Sequence, residues 1–263
     1  MSIKVIVCVK QVIDPDAPVG SLHISEDNTV SSKEDQFVLN GYDENAIEAA
    51  LKIKDVMDVD ITILSVGSNF EHDVMKKPIS MGADRLILID DAKFKNIDAF
   101  TTVEVLGKAI NKIGEFDLII CGRQASDWDN AYVPLGLSEL LGIACITLAQ
   151  KIEVLSMSVK VERVLSGGYE IVESHFPTLI TVSNEIGNPR YPTIRGIMSA
   201  GRKQPDIWKS ADIGIDDELL NKYLVTKNLS IPINDSDCEF LDADSDEQLG
   251  QLLAEKLIEK KLI

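Results

Sequence analysis

Between Gly122 and Gly136 the chain reads GRQASDWDNAYVPLG, a segment rich in side chains that bind ligands and poor in side chains that attack them. Gln124, Ser126, Asp127, Asp129 and Asn130 offer amide, hydroxyl and carboxylate groups, Arg123 offers one cation, and Trp128 and Tyr132 offer two flat faces. The stretch has no histidine and a single serine, so base-assisted nucleophilic chemistry has no support in it. Binding has more. The apolar run DLIICG just before it reads as a buried parallel strand and delivers Gly122 to the sheet edge where open α/β sheets take their ligands. Asp129 or Asn130 is suited to cap a helix from about Ala131 to Leu141, with Pro134 tolerated in its first turn. The free N–H groups of such a helix start favour a phosphate, Arg123 adds positive charge, and Asp127 and Asp129 then act as caps or receive ribose hydroxyls. An ordinary strand-to-helix connection has the same spacing, and the two aromatic rings serve as well for packing as for stacking on a ligand.

Other candidate sites are weaker. The chain has neither G-x-G-x-x-G nor G-x-x-x-x-G-K-[ST], so neither the dinucleotide fingerprint nor the P-loop accounts for a phosphate. Ser166-Gly167-Gly168 shares the S-G-G of adenylating pyrophosphate loops but follows a later strand, and is read as a hairpin turn. His23, His72 and His175 are scattered with no carboxylate or cysteine at ligand spacing, which leaves no metal or triad reading. Asp242-Ala243-Asp244-Ser245-Asp246 starts like a calcium loop, yet Glu247 stands where glycine belongs and Leu253 where the bidentate glutamate belongs.

The elements that must position the Gly122 segment follow from hydropathy. IKVIVCVK from Ile3, DITILSVG from Asp60, RLILIDD from Arg85 and DLIICG from Asp117 are runs of Ile, Val and Leu typical of fully buried parallel strands. Segments of helical period separate them, from about Glu44 to Lys54, up to Met81-Gly82, and from about Asp98 to Lys112. Strands alternating with helices imply an α/β fold with a doubly wound, mostly parallel sheet. KIEVLSMSVKVERVLSGGYEIVESHFPTLITVSN then holds three β-like runs, expected to extend the sheet with antiparallel strands around a Gly167-Gly168 hairpin.

At 263 residues the chain suits one core with an appended arm. The expected division is a nucleotide-binding α/β domain over 1–209, including an irregular excursion over 185–205, and a linker with a C-terminal helix over 210–263. In that helix Ser245 fits an N-cap, Leu249, Leu252, Leu253 and Leu257 form one apolar face, and Lys256, Lys260 and Lys261 complement the dipole. Within the excursion, Thr193 is suited to cap a short helix with Ile194, Ile197 and Met198 on one side. A formal net charge of −17 argues against nucleic acid as a partner. No apolar run approaches the ~20 residues that span a bilayer. Four widely spaced cysteines without a C-x-x-C pair, and a strand pattern beginning within MSIKVIVCVK, lead to the expectation of a cytoplasmic protein with no leader and no membrane insertion.

The ordered segments together resemble the β subunit of electron-transfer flavoproteins over nearly the whole chain. VCVKQVID is similar to that family's first strand and turn, NGYDENAIEAALKIKD to its second segment, and MGADRLI to a helix-to-strand corner. GRQASDWDN is similar to its nucleotide loop, and VERVLSGGYEI with FPTLITVSNEIGNPRYPTIRGIMSAGRK to its signature region. The resemblance implies an adenine-nucleotide α-hydrolase-like Rossmannoid domain in a heterodimer, with the C-terminal arm reaching an α subunit that holds FAD. It implies a carrier rather than a self-contained enzyme, with FAD or AMP in this chain, passing electrons between NADH or a dehydrogenase and partner redox proteins, or bifurcating them. By position Cys8, Asn40, Gly41, Tyr42, Asp43, Val66, Gly122, Arg123, Gln124, Ala125, Ser126, Asp127, Trp128, Asp129, Asn130, Ala131, Tyr132 and Val133 would line the nucleotide pocket. Val133 stands where AMP-binding members usually carry a threonine, which favours FAD. Pro189, Arg190, Tyr191, Ile194, Ile197 and Met198 would form a recognition loop for an acyl-CoA dehydrogenase or related flavoenzyme. The competing readings are a universal-stress-protein-like adenine-nucleotide module, which would homodimerise, and a flavin-free adaptor, which would purify without nucleotide.

Overall fold

In the computed structural model, which describes residues 2–32, 36–220, 223–231 and 238–263, the four apolar runs form the middle of a nine-stranded sheet. Its strands are β1 (Ile3–Cys8), β2 (Val59–Gly67), β3 (Arg85–Asp90), β4 (Leu118–Gly122), β5 (Ala144–Val154), β6 (Ser158–Leu165), β7 (Gly168–His175), β8 (Thr178–Val182) and β9 (Asp206–Trp208). They lie in the order β7-β6-β5-β8-β4-β1-β2-β3-β9, parallel throughout except where β6 meets β5 and β7. Two small antiparallel ribbons, Gln11–Ile13 with Phe37–Leu39 and Leu22–Ile24 with Val30–Ser32, are built between β1 and the first helix.

The helices cover both faces, as a doubly wound sheet requires. They are α1 (Gly41–Lys54), α2 (His72–Met75), α3 (Lys77–Met81), α4 (Ala99–Ile113) and α5 (Tyr132–Leu141); α6 (Ile194–Arg202) and α7 (Asp246–Glu259) follow later in the chain. Successive strand residues alternate between the two layers. Leu118 and Ile120 join Val5, Val7, Ile61 and Ile63 under α1, while Ile119 and Cys121 join Ile6, Cys8 and Leu64 under α4 and α5. Five buried positions in a row in β4 are therefore what a strand sandwiched between helix layers demands.

Of the three late β-like runs, β6 and β7 do form an antiparallel hairpin, which turns at Ser166-Gly167, one residue before the expected pair, with Leu165 opposite Gly168. The third, β8, instead inserts in parallel between β5 and β4. The physical reason is its burial: all five of its residues are hidden, the two threonines included, and a strand covered on both faces belongs inside a parallel sheet rather than at an edge. Helix α1 also starts at Gly41, three residues before the expected Glu44.

The chain divides into two compact units, 1–229 and 230–263. In the first, Ile213 and Ile215 are buried in the α4 and α5 layer. In the second, Ser245 Oγ caps α7 by accepting from Gln248 N at 3.3 Å, and Glu239 pairs with Lys256 at 2.5 Å. Among the described residues no helix is long and apolar enough to cross a membrane.

Helix α6 rests on α3 at a point without a side chain. A Cβ at Gly196 would fall onto the Ser80 carbonyl, whose carbon lies 3.1 Å from it, and Ala200 one turn on is buried in the same contact layer. Gly196→Ala is expected to lower the unfolding free energy by about 1–3 kcal/mol in urea titrations. Gly201→Ala, with open space around the new carbon, should be neutral or raise it by up to about 1 kcal/mol.

Candidate functional site

The sheet order reverses beside β1: β2 and β3 lie on one side of it and β4 and β8 on the other. Carboxyl ends diverge at such a switch point and leave a crevice. Three segments meet there, namely the chain leaving β1 at Val9 and Lys10, the amino end of α1, and the GRQASDWDN loop leaving β4.

Two buried side chains of α1's first turn hold these segments together. Asn40 is hidden at the N-cap position; its Nδ2 donates to Gln124 O at 2.8 Å and its Oδ1 accepts from Ser126 N at 3.2 Å. Its backbone N–H donates to Lys10 O at 2.9 Å. Asp43 accepts from Lys10 N on Oδ2 at 2.8 Å and from Gly122 N on Oδ1 at 3.2 Å, so one carboxyl spans the ends of β1 and β4. Gly122 permits this approach, because a Cβ there would sit 2.7 Å from the Tyr42 carbonyl carbon and closer still to Asp43.

Around that clamp lies a charged rim. Lys10 Nζ pairs with Asp127 at 2.5 Å, and the Arg123 guanidinium lies 5.3 Å from the Tyr42 ring centre, within cation–π range. Arg123 Nε donates to Gln124 Oε1 at 3.0 Å, and Gln124 Nε2 donates to Asp129 at 2.7 Å. Lys10 was absent from the sequence-based site. Its signal was a cation at the carboxyl end of an apolar strand, the edge where ligands bind.

The cap expected of Asp129 or Asn130 is not made. Ala131 occupies the N-cap position of α5 with φ of 51° and no side chain accepts from the helix start. Asp129, also at φ 51°, is engaged by Gln124 instead, and its N–H with that of Trp128 turns back to Ala125 O. A left-handed alanine is uncommon and is held by its surroundings. It leaves the amides of Tyr132 and Val133 with no intrahelical acceptor, which fits the donor set a phosphate needs. Asn130 and Gly41 are exposed, and Trp128 is half exposed, so its face is open to a ligand. Tyr132 packs on Phe100 at 4.4 Å, and Phe100 on Tyr223 at 5.7 Å. Cys8 lies on the crevice floor opposite Cys121 in the strand register, Val133 is half-buried against the α4 and α5 layer, and Val66 is half-buried at the end of β2.

Burial pushes the Asp43 carboxyl up to about 7, against the downward pull of its bonds from Asn40, Lys10 N and Gly122 N. The Cys121 thiol is raised by its hydrogen bond with Cys8 and by burial. Among the described residues no acid, base and nucleophile converge at hydrogen-bond distance in the crevice, and no cluster of His, Cys, Asp and Glu could hold a metal.

The residues expected to form a recognition loop gather elsewhere. Thr193 Oγ1 caps α6 by accepting from Gly196 N at 3.0 Å, as its sequence position implied. Ile194 is 80% exposed, and Ile197 and Met198 stand beside it in solvent with Tyr191, itself 93% exposed. Pro189 is half-buried. Arg190 turns inward to Glu48 and Asp55, and its hydrogen bonds hold the Asp55 carboxyl below the usual range.

Because the folded Asp43 carboxyl binds its proton more tightly than the unfolded one, the native state carries the extra proton between about pH 4 and pH 7. Its stabilising contribution is complete below that window and is lost as pH rises through 7. Asp43→Asn should flatten the corresponding fall in unfolding free energy between pH 5 and pH 8. At pH 5 it should cost about 1–3 kcal/mol, since an amide leaves one of two buried N–H donors unpaired. Urea titrations of both chains at pH 5, 6.5 and 8 measure the difference.

A family model described as the electron transfer flavoprotein domain matches residues 27–213, a span containing Asn40, Asp43, the β4 loop and α6. The electron transfer flavoprotein subunit beta of Megasphaera elsdenii is 35% identical over 272 residues, covering 99% of this chain and all of that protein. The acryloyl-CoA reductase electron transfer subunit gamma of Anaerotignum propionicum is 36% identical over 76% of this chain and 75% of its own length. The caffeyl-CoA reductase-Etf complex subunit CarD of Acetobacterium woodii is 32% identical over 82% of this chain and 81% of its own. With the domain matched through both the crevice and α6, and a relative aligned end to end, this chain belongs to the electron transfer flavoprotein family.

Proposed function

We propose that this chain is the β subunit of a heterodimeric electron-transfer flavoprotein that holds an adenine nucleotide at the β1 and β4 switch point. It works as a carrier between NADH or a dehydrogenase and partner redox proteins. The observation that carries this reading is a loop built entirely for binding. Asn40 and Asp43 fix its backbone, the start of α5 offers uncapped donors, and no side-chain set is poised for acid-base or nucleophilic work.

FAD is favoured over AMP at this site because Val133 presents no hydroxyl toward the helix start, which removes about 1 kcal/mol or more of bonding to an AMP phosphate. Bound there, FAD would supply hydride acceptance and delivery of the two electrons along separate paths, which is the chemistry of bifurcation. The chain's own part is to bind and orient: the N–H groups at 132–133 for phosphate, Arg123 for charge balance, and Trp128 and Tyr42 as flat surfaces beside the crevice. The relatives named for caffeyl-CoA and acryloyl-CoA reductase complexes support an acyl-CoA-linked flavoenzyme as electron partner. The exposed α6 face of Ile194, Ile197 and Met198 is the surface that suits a transient partner of this kind. The division of labour is a nucleotide domain over 1–209 and an arm over 210–263 whose α7 leucines dock on the α subunit. A cytoplasmic location goes with this reading.

Two experiments test it. Co-expression with an α subunit, denaturation and quantitation of released nucleotide should give two FAD per heterodimer; one FAD with one AMP would make the loop a structural cradle, and a single FAD alone would overturn the nucleotide reading. Ile194→Asp should raise the KM of an acyl-CoA dehydrogenase for the complex about tenfold or more while nucleotide content stays unchanged, and unaltered transfer kinetics would remove α6 from docking.

A further inference from the structure

Helix α6 is nine residues long and meets the body through Gly196 and Ala200, with Lys203 Nζ at its carboxyl end donating to Asp84 O at 3.1 Å. Its entry segment is bound along one stripe of α1. Asn45 Nδ2 donates to Gly187 O at 2.9 Å, and Lys52 Nζ donates to Ile186 O at 2.5 Å. Between them Glu48, buried in the middle of α1, accepts three times from one residue. Arg190 N and Nε reach its Oε2 at 3.0 and 2.9 Å, and Arg190 Nη2 reaches its Oε1 at 3.0 Å. Asp55, two turns on, takes Nη1 at 3.1 Å and Nη2 at 2.6 Å from the same guanidinium. Positions 45, 48, 52 and 55 share one face of a helix.

We infer that Glu48 is a positioning residue that fixes the base of α6 through the Arg190 fork, so that the exposed Ile194 face is presented in one orientation. A buried carboxylate and a guanidinium with its Nε and both Nη groups engaged form a planar, direction-setting contact that a lysine could not reproduce. Arg190 also ties through its own backbone N–H, three residues before the Thr193 cap, so the fork sets the path of the main chain into α6 and not only a side chain. At its other end the same helix holds the nucleotide loops through Asn40 and Asp43. About 21 Å of α-helix, fourteen residues at 1.5 Å each, thus sets both surfaces in one frame. This inference rests on the proposal that α6 is the docking helix.

The test uses the co-expressed complex carrying Glu48→Gln, Arg190→Lys or, as the change with least effect on folding, Asp55→Asn, whose side chain is half exposed. Amide hydrogen exchange over 187–200 should speed up about tenfold in the first two and about threefold in the third. Nucleotide content and exchange at 122–131 should stay within twofold of the parent. The KM of an acyl-CoA dehydrogenase for the complex should rise about tenfold in Glu48→Gln with kcat within twofold, the mark of misplaced docking rather than lost chemistry. Unchanged exchange over 187–200 in all three variants overturns the inference even if Ile194→Asp impairs transfer. Faster exchange with no effect of Ile194→Asp on KM keeps the anchoring and overturns the docking reading beneath it. Should Glu48→Gln fail to fold, Asp55→Asn decides, because its exchange readout needs only the outer half of the fork.

Discussion

A charged or strongly polar side chain removed from water must find partners that replace its hydration, and helix α1 buries four of them on one element: Asn40, Asp43, Asn45 and Glu48. Each reaches a partner outside its own helix. Asn40 and Asp43 reach the ends of β1 and β4, and Asn45 and Glu48 reach the segment that enters α6. The desolvation of these groups makes their bonds obligatory, and the bonds bring distant loops to one helix. A second ion pair elsewhere, such as Lys4 with Glu115 at 3.0 Å, is exposed and constrains little by comparison.

The sheet itself was readable because a parallel strand between two helix layers has to be apolar on both sides. Ile119 and Ile120 point to opposite layers and both are fully buried, so the run around them has no polar interruption. Turns with a local rule were also readable, including the hairpin at Ser166-Gly167, within one residue of its expected place, Thr193 as cap and Ser245 as cap. The place of β8 was not, since parallel pairing is decided by partners far away in the chain rather than by neighbours.

The site was legible by location more than by contact. DLIICG followed by a polar loop marks the crevice, but the pairing of Lys10 with Asp127 joins residues 117 apart, and that of Arg190 with Glu48 joins residues 142 apart. No spacing rule reaches so far. The uncapped α5 was hidden for a different reason: Asp129 has the right chemistry for a cap, yet Gln124 takes its carboxylate and Ala131 is twisted into the left-handed region instead. Local propensity lost to a tertiary contact.

Helix α7 buries none of its side chains fully within this chain. Fourteen residues of isolated helix are marginal in water, because nucleation costs nearly as much as the few added turns return. Whatever surface covers Leu249, Leu252, Leu253 and Leu257 therefore contributes to forming the helix as well as to holding it. If α7 docks on an α subunit as proposed, its folding and its association are one step. It is expected to carry the large negative heat-capacity change of coupled folding, and an affinity lower than the buried area alone would suggest.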